Sequence, residues 1–161
     1  MRNSFGHGAG CRIGSKAAPH ISLTFRAPAV ELSAELRSLV LSAIRYFDDR
    51  RYTLWAAVVL PDHVHLLLTP LERESGRWWS LSSILHSLKG YTAKQVNARL
   101  QHTGVAWMQE SFDRIVRDED EFIEKWQYIR NNPVKRGLCE RAEEWDGFWE
   151  RAAGWPPDGT G

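Results

Sequence analysis

The sequence predicts an α+β fold: a ferredoxin-like antiparallel sheet with two helices on one face and an additional, tyrosine-bearing helix on the other. Three observations lead there. Strand-like and helix-like segments follow the order β-α-β-β-α-β, and one more helical stretch comes after the last strand. At 161 residues the chain has the size of one domain with tails. Its 43% apolar and 25% charged residues are ordinary usage for a packed core and exclude a wholly disordered chain.

The elements follow from their periods. Residues 1–18 are polar and Gly-rich, without hydrophobic period, and read as a mobile arm. Next, Ile21, Leu23 and Phe25 alternate with Ser22, Thr24 and Arg26, a strand ended by Pro28. From 31 to 49, Leu32, Leu36, Leu39, Val40, Ala43, Ile44 and Phe47 fall at helical spacing. Segments 56–60 and 64–69 read as two strands joined at Pro61-Asp62, a turn short enough for a hairpin. A polar loop is expected over 72–79. A second helix over 81–100 follows, in which Gly90 costs about 1 kcal/mol relative to Ala.

SFDRIVR at 111–117 is the fourth strand, and DEDEFIEKWQYIRNN at 118–132 is the third helix. Asp118 is its candidate N-cap, Glu121 sits in capping-box position, and Pro133 is expected to stop it. The rest, acidic and Trp-bearing, reads as loose. The expected organisation is an arm over 1–18, a catalytic domain over 19–138 and a tail over 139–161.

Net charge is only +1, which excludes a uniformly basic nucleic-acid binder but not a local patch. Charge is indeed segregated: bases exceed acids by four over 76–117, and acids exceed bases by four over 139–161. Two cysteines, Cys11 and Cys139, cannot build a disulfide framework or a Cys-rich zinc site. With a polar N-terminus and no apolar run near the ~18 residues of a membrane span, a cytoplasmic protein without membrane association is expected.

His63-Val64-His65 lies on the third strand, so the two imidazoles share a face with Leu67, while Val64, Leu66 and Leu68 take the other. If the Val/Leu face packs on the first two helices, both imidazoles point to the open face. There they either satisfy one another at a sheet edge or converge on a metal that needs a third ligand. Tyr128 and Asn132, four residues apart, share one face of the last helix, which could bring Asn132 to the imidazoles and Tyr128 to whatever the metal holds. Two imidazoles and an amide oxygen leave open positions suited to Mg²⁺ or Mn²⁺, and a tyrosine beside them suits nucleophilic attack on phosphorus.

LPDHVHLLLTP resembles the HUH motif (His, bulky hydrophobic, His) of single-tyrosine transposases. KWQYIRNNPVKRGL resembles the YIxxNPVxxGL segment of their REP-associated branch, linked to repetitive extragenic palindromes. The first-strand TFR and WMQESFDRIVRDEDEF fit the same family, and the likeness spans about 19–138. It implies the HUH endonuclease fold and a substrate of single-stranded DNA carrying a hairpin, a REP-like palindrome. His63 and His65 would hold a divalent metal. Tyr128 would attack the scissile phosphate to give a 5′-phosphotyrosine and a free 3′-hydroxyl. Asn132 would be the third ligand, where insertion-sequence relatives usually carry Gln. The family further implies a monomer or a homodimer, associated with the nucleoid when bound to DNA.

A competing Tyr-x-x-x-Gln pair, Tyr91 and Gln95, falls on the second sheet-backing helix, away from the predicted open face. Lys89, Lys94, Arg114 and Arg117 are candidate phosphate contacts, alternatively solvated surface charges. Arg130, Lys135 and Arg136 flank the tyrosine and are better placed than these to hold DNA at the active site. Adjacent Trp78 and Trp79 are candidates to stack unpaired bases, whereas Trp107 is expected to pack. Asp62 is read as turn chemistry. Two other functions remain open: a domesticated hairpin-binding protein without cleavage, and a metal-binding ferredoxin-like protein that ignores nucleic acid.

Overall fold

The computed structural model describes residues 18–27, 31–101 and 107–152. Residues 1–17 of the expected arm, Pro28, and 153–161 of the tail lie outside them.

The elements run β1 (His20–Arg26), α1 (Ala34–Phe47), β2 (Tyr52–Val59), β3 (His63–Pro70), β4 (Glu72–Glu74), β5 (Arg77–Trp78), α2 (Leu81–Leu100), β6 (Ser111–Val116), α3 (Glu119–Lys135), a 3₁₀ turn (Ala142–Glu144) and β7 (Phe148–Glu150). The main sheet is antiparallel, in the order β6-β1-β3-β2-β7. Its first four strands have the ferredoxin-like order that the sequence predicts.

Strand period decides which face each residue serves. Ile21, Leu23 and Phe25 of β1 and Val64, Leu66 and Leu68 of β3 join one core with Leu36, Val40 and Ile44 of α1 and Ile84, Leu88 and Val96 of α2. The reverse face buries a second, smaller core: Ala56, Val58 and Leu67 with Val116 and with Phe122 and Ile129 of α3. Ser33 and Ser80 cap α1 and α2 by accepting from the backbone N–H groups of Leu36 and Ser83. Gly90 does not interrupt α2, because Leu88 and Thr92 on either side of it are fully buried.

Three sequence expectations need correction. Segment 72–79 is not all loop: β4 and β5 pair as a small two-stranded ribbon. Pro133 does not stop α3, which runs on to Lys135, and the chain turns at Gly137 (φ 68). A proline in the last turn removes one backbone donor but leaves the preceding turns intact. The third correction is that the stretch after 139 is not loose over its described part. β7 adds to β2 as an edge strand, with Ala57 opposite Trp149 and Val58 opposite Phe148.

Ion pairs hold that edge. Arg151 places one guanidinium nitrogen 2.7 Å from both carboxylate oxygens of Asp48, and Arg37 binds Asp146 at 3.0 Å. Gly147 makes the close approach possible. It accepts from the Val59 N–H at 2.7 Å, and a Cβ there would fall 2.2 Å from the Val59 carbonyl oxygen. Gly147→Ala is therefore expected to cost about 1–3 kcal/mol and lower the melting temperature by about 3–10 °C. Thermal denaturation followed by circular dichroism reads the loss.

Candidate metal centre and nucleophile

The β2–β3 hairpin sets the position of both histidines. Its turn is pinned by backbone bonds from Ala27 to Asp62 and from Leu32 to Pro61. Register places His63 opposite Arg26, and His65 between Thr24 on β1 and Val58 on β2. The imidazole centroids are 4.6 Å apart and nearly perpendicular.

Each ring is oriented through its Nδ1. His63 Nδ1 lies 2.7 Å from Asp62 Oδ1. Burial tends to raise the Asp62 carboxyl, but hydrogen bonds from Arg136 and His63 outweigh it and hold the group at about 2. Asp62 is thus an ionised acceptor, and Nδ1 of His63 must carry the proton. That leaves its Nε2 lone pair available. His65 Nδ1 lies 2.7 Å from Thr24 Oγ1. Its Nε2 is buried and has no partner among the described residues.

α3 crosses this face over β2 and β3. Asp118 caps it by accepting from the Glu121 N–H, and Phe122 and Ile129 bury its apolar side. The Glu121 carboxylate accepts from the Arg117 N–H rather than from its cap, so the expected capping box closes one residue early. The helix brings the Tyr128 ring to 5.2 Å from that of His65, with the tyrosine 49% exposed. One turn on, Asn132 is 9% exposed, and its Oδ1 is also buried without a partner.

Two orphaned polar atoms, an imidazole nitrogen and an amide oxygen, therefore sit buried on facing elements. Burial of unpaired polar atoms is costly, and a divalent cation would satisfy both. The donor set of His63, His65 and Asn132 fits such an ion. Among the described residues, no group of three or more His, Cys, Asp or Glu offers an alternative centre.

Burial, reinforced by the charges of His63, Arg26 and Arg136, pushes His65 down to about 3; burial also lowers His63, against the opposing pull of Asp62. In the unfolded chain each imidazole takes a proton near its ordinary value, where the folded chain refuses it. Stability of the metal-free protein must then rise with pH between about 3 and 6.5 and fall as pH drops. From pH 7 to pH 5, His65 alone should remove about 2 kcal/mol. Asp62 works in the same direction only below its ordinary value near 4, outside that window. Urea denaturation at pH 7 and pH 5 measures the difference, and His65→Gln should flatten it.

The other expected site residues are distributed unevenly. Tyr91 lies on α2, on the opposite side of the sheet from the histidines, stacked 6.3 Å from Tyr46. Lys89 and Lys94 belong to the same helix, and the Lys89 ammonium donates to the carbonyls of Met108 and Gln109. Trp107 packs, as expected: it is buried edge-on against Phe25 and donates to Thr92. Trp78 and Trp79 follow β3 at its Pro70 end, roughly 23 Å along the strand from His63. Arg51 and Arg73 already lie on the Trp79 ring, at 4.3 and 4.7 Å.

On the tyrosine side, Arg130 is tied to Glu143 and Glu150. Arg136 binds Asp62 at 2.8 Å, Arg114 binds Glu121 at 2.7 Å, Arg117 lies 3.7 Å from Glu121, and Lys135 is exposed. Sequence reasoning missed Thr24 as the support of His65 and gave Asp62 only its turn role. Alternation had already put Thr24 on the face away from Leu23 and Phe25, which was the available signal.

A family model described as "Transposase IS200 like" matches residues 23–132, more than half of the chain. The chain belongs to that family. It is 24% identical over 96 residues to a Haemophilus influenzae protein named for the REP-associated tyrosine transposases. That match covers 56% of this chain and 54% of the relative, so the chain spans about half the length of the curated protein it matches. Among solved structures it is similar to a REP-associated tyrosine transposase bound to a REP hairpin. There the TM-score is 0.62 with 23% identity, over 80% of this chain and 74% of the other. A Deinococcus radiodurans chain assigned as a transposase gives 0.51 with 21% identity, over 70% and 88%. At these identities the two structures speak for the IS200-like transposase fold alone. No helix among the described residues is long and apolar enough to cross a membrane.

Proposed function

We propose that this IS200-like transposase is a metal-dependent nickase and strand-transferase. It would cut single-stranded DNA at hairpin-bearing, REP-like sites through a 5′-phosphotyrosine. The observation carrying this reading is the Tyr128 ring 5.2 Å from His65, beside two buried polar atoms that lack partners. His63, His65 and Asn132 would hold Mg²⁺ or Mn²⁺, which when bound supplies positive charge to polarise a phosphoryl oxygen.

The chain's own residues do the rest. Asp62 and Thr24 fix the imidazole rings before substrate arrives. Tyr128, half exposed on α3, loses its phenolic proton and forms an Oη–P bond. The P–O3′ bond breaks, and the departing 3′-oxygen takes up a proton. Reversal by the same or another 3′-hydroxyl rejoins a strand and frees the tyrosine. Arg26, Lys135 and Arg136 are suited to hold the phosphates around the scissile one. Tyrosine and histidines meet within one chain, which supports a reaction completed by a monomer.

The test is a single-stranded hairpin oligonucleotide incubated with Mn²⁺ and run on a denaturing gel. A protein–DNA adduct that chelator prevents is the expected result. Tight binding without adduct, across hairpins of varied stem and flank, would replace the proposal with a hairpin-binding function.

A further inference from the structure

β6 carries a feature that the metal centre does not use. α3 lies over β2 and β3 and reaches β6 at its Val116 end; among the described residues, part of the β1–β6 half of that face is left uncovered. Val116 is buried under α3, and Arg114 is latched to Glu121. Phe112, two positions further along the same strand face, is 61% exposed, the most exposed of the large apolar side chains described.

Register fixes where it sits. Phe112 is opposite Thr24, and Thr24 is opposite His65, so the three form one row across the sheet, all on the α3 face. Two inter-strand spacings put Phe112 roughly 10 Å from His65. Among the described residues, no aromatic ring or cation is seen against the Phe112 ring. Arg26 and Arg114 lie on the same face of the neighbouring rows, one on each side of the Phe112–Thr24 row.

An exposed aromatic ring between two guanidinium groups, on an otherwise polar surface, suits one ligand chemistry: an unpaired nucleobase whose flanking phosphates meet the arginines. We infer that Phe112 is a base-stacking platform, holding an unpaired base one or two nucleotides from the phosphate presented to Tyr128. This rests on the single-strand reading above and gives it a polarity across the sheet: the strand runs from the tyrosine side over His65 towards the β6 edge.

The experiment uses the full chain, fluorescein-labelled dT12 and a blunt 12-base-pair duplex, with EDTA present so that cleavage plays no part. Fluorescence anisotropy should show Phe112→Ala weakening dT12 binding by about 5- to 150-fold, the equivalent of one base stacked at ~1–3 kcal/mol. Phe112→Trp should restore it, and duplex binding should be unchanged in both. Equal dT12 affinity for the wild type and Phe112→Ala would overturn the inference while leaving the nickase proposal untouched. So would a Phe112→Ala protein that changes from dimer to monomer without losing affinity per protomer, since the exposed ring would then serve a second copy of the chain. Stacking through Phe112 together with no adduct in Mn²⁺ would sustain the platform and remove the nickase.

Discussion

Tyr128→Phe is expected to abolish the covalent protein–DNA adduct, to the limit of detection, while leaving hairpin and Mn²⁺ binding within about twofold of the wild type. The substitution removes one oxygen and keeps the ring. The ring is what contacts His65, edge-on at 5.2 Å, and its loss would loosen α3 over the histidines. The oxygen is the only atom that can form the bond to phosphorus, so no residual pathway through the same side chain exists. The control is as informative as the variant. Tyr91→Phe should retain the full adduct yield, because Tyr91 sits against Tyr46 and Phe47 on the helical side of the sheet. A protein in which Tyr91→Phe loses the adduct and Tyr128→Phe keeps it would reverse the assignment. Denaturing electrophoresis of each variant with labelled hairpin DNA decides it.

Half of that contrast is legible in the sequence, because the facing of the histidines depends on period. Val64, Leu66 and Leu68 alternate with His63, His65 and Leu67, so once two helices cover the apolar set, the imidazoles point to the opposite face, where the structure lays α3. What period cannot give is pairing over distance. Arg130 shows as a positive charge beside the tyrosine, yet its carboxylate partners, Glu143 and Glu150, lie 13 and 20 residues on. Read locally, it is a charge without a partner; the fold supplies both carboxylates. β7 escaped notice for a related reason. Three residues are too few for alternation to register, and the acids around them resemble a solvated tail until Arg37 and Arg130 pair with Asp146 and Glu150. The β4–β5 ribbon, built from Glu, Arg and Trp, likewise carries no apolar period. Asp62 was legible only in half: a turn residue by its neighbour Pro61, it is also the acceptor that fixes His63.

The supports of the two histidines give the second large expected effect. Thr24→Val should weaken Mn²⁺ binding about 10- to 100-fold, the usual consequence of removing a hydrogen-bonded support from a metal-ligating histidine. Valine matches threonine in shape, so β1 keeps its packing while His65 Nδ1 loses the oxygen 2.7 Å away. The imidazole is then free to choose the wrong tautomer or to turn away from Asn132. Thr24→Ser, which returns the hydroxyl, should recover most of the affinity. Asp62→Ala should cost at least as much, since it strips His63 of the carboxylate that fixes its tautomer and also releases Arg136. A purely structural role predicts something different: lower melting temperatures with unchanged metal affinity in whatever fraction stays folded. Isothermal titration with Mn²⁺, paired with thermal denaturation of the same samples, separates the two. Unchanged Mn²⁺ affinity in a folded Thr24→Val protein would mean that the bond across β1 and β3 serves the sheet and not the metal.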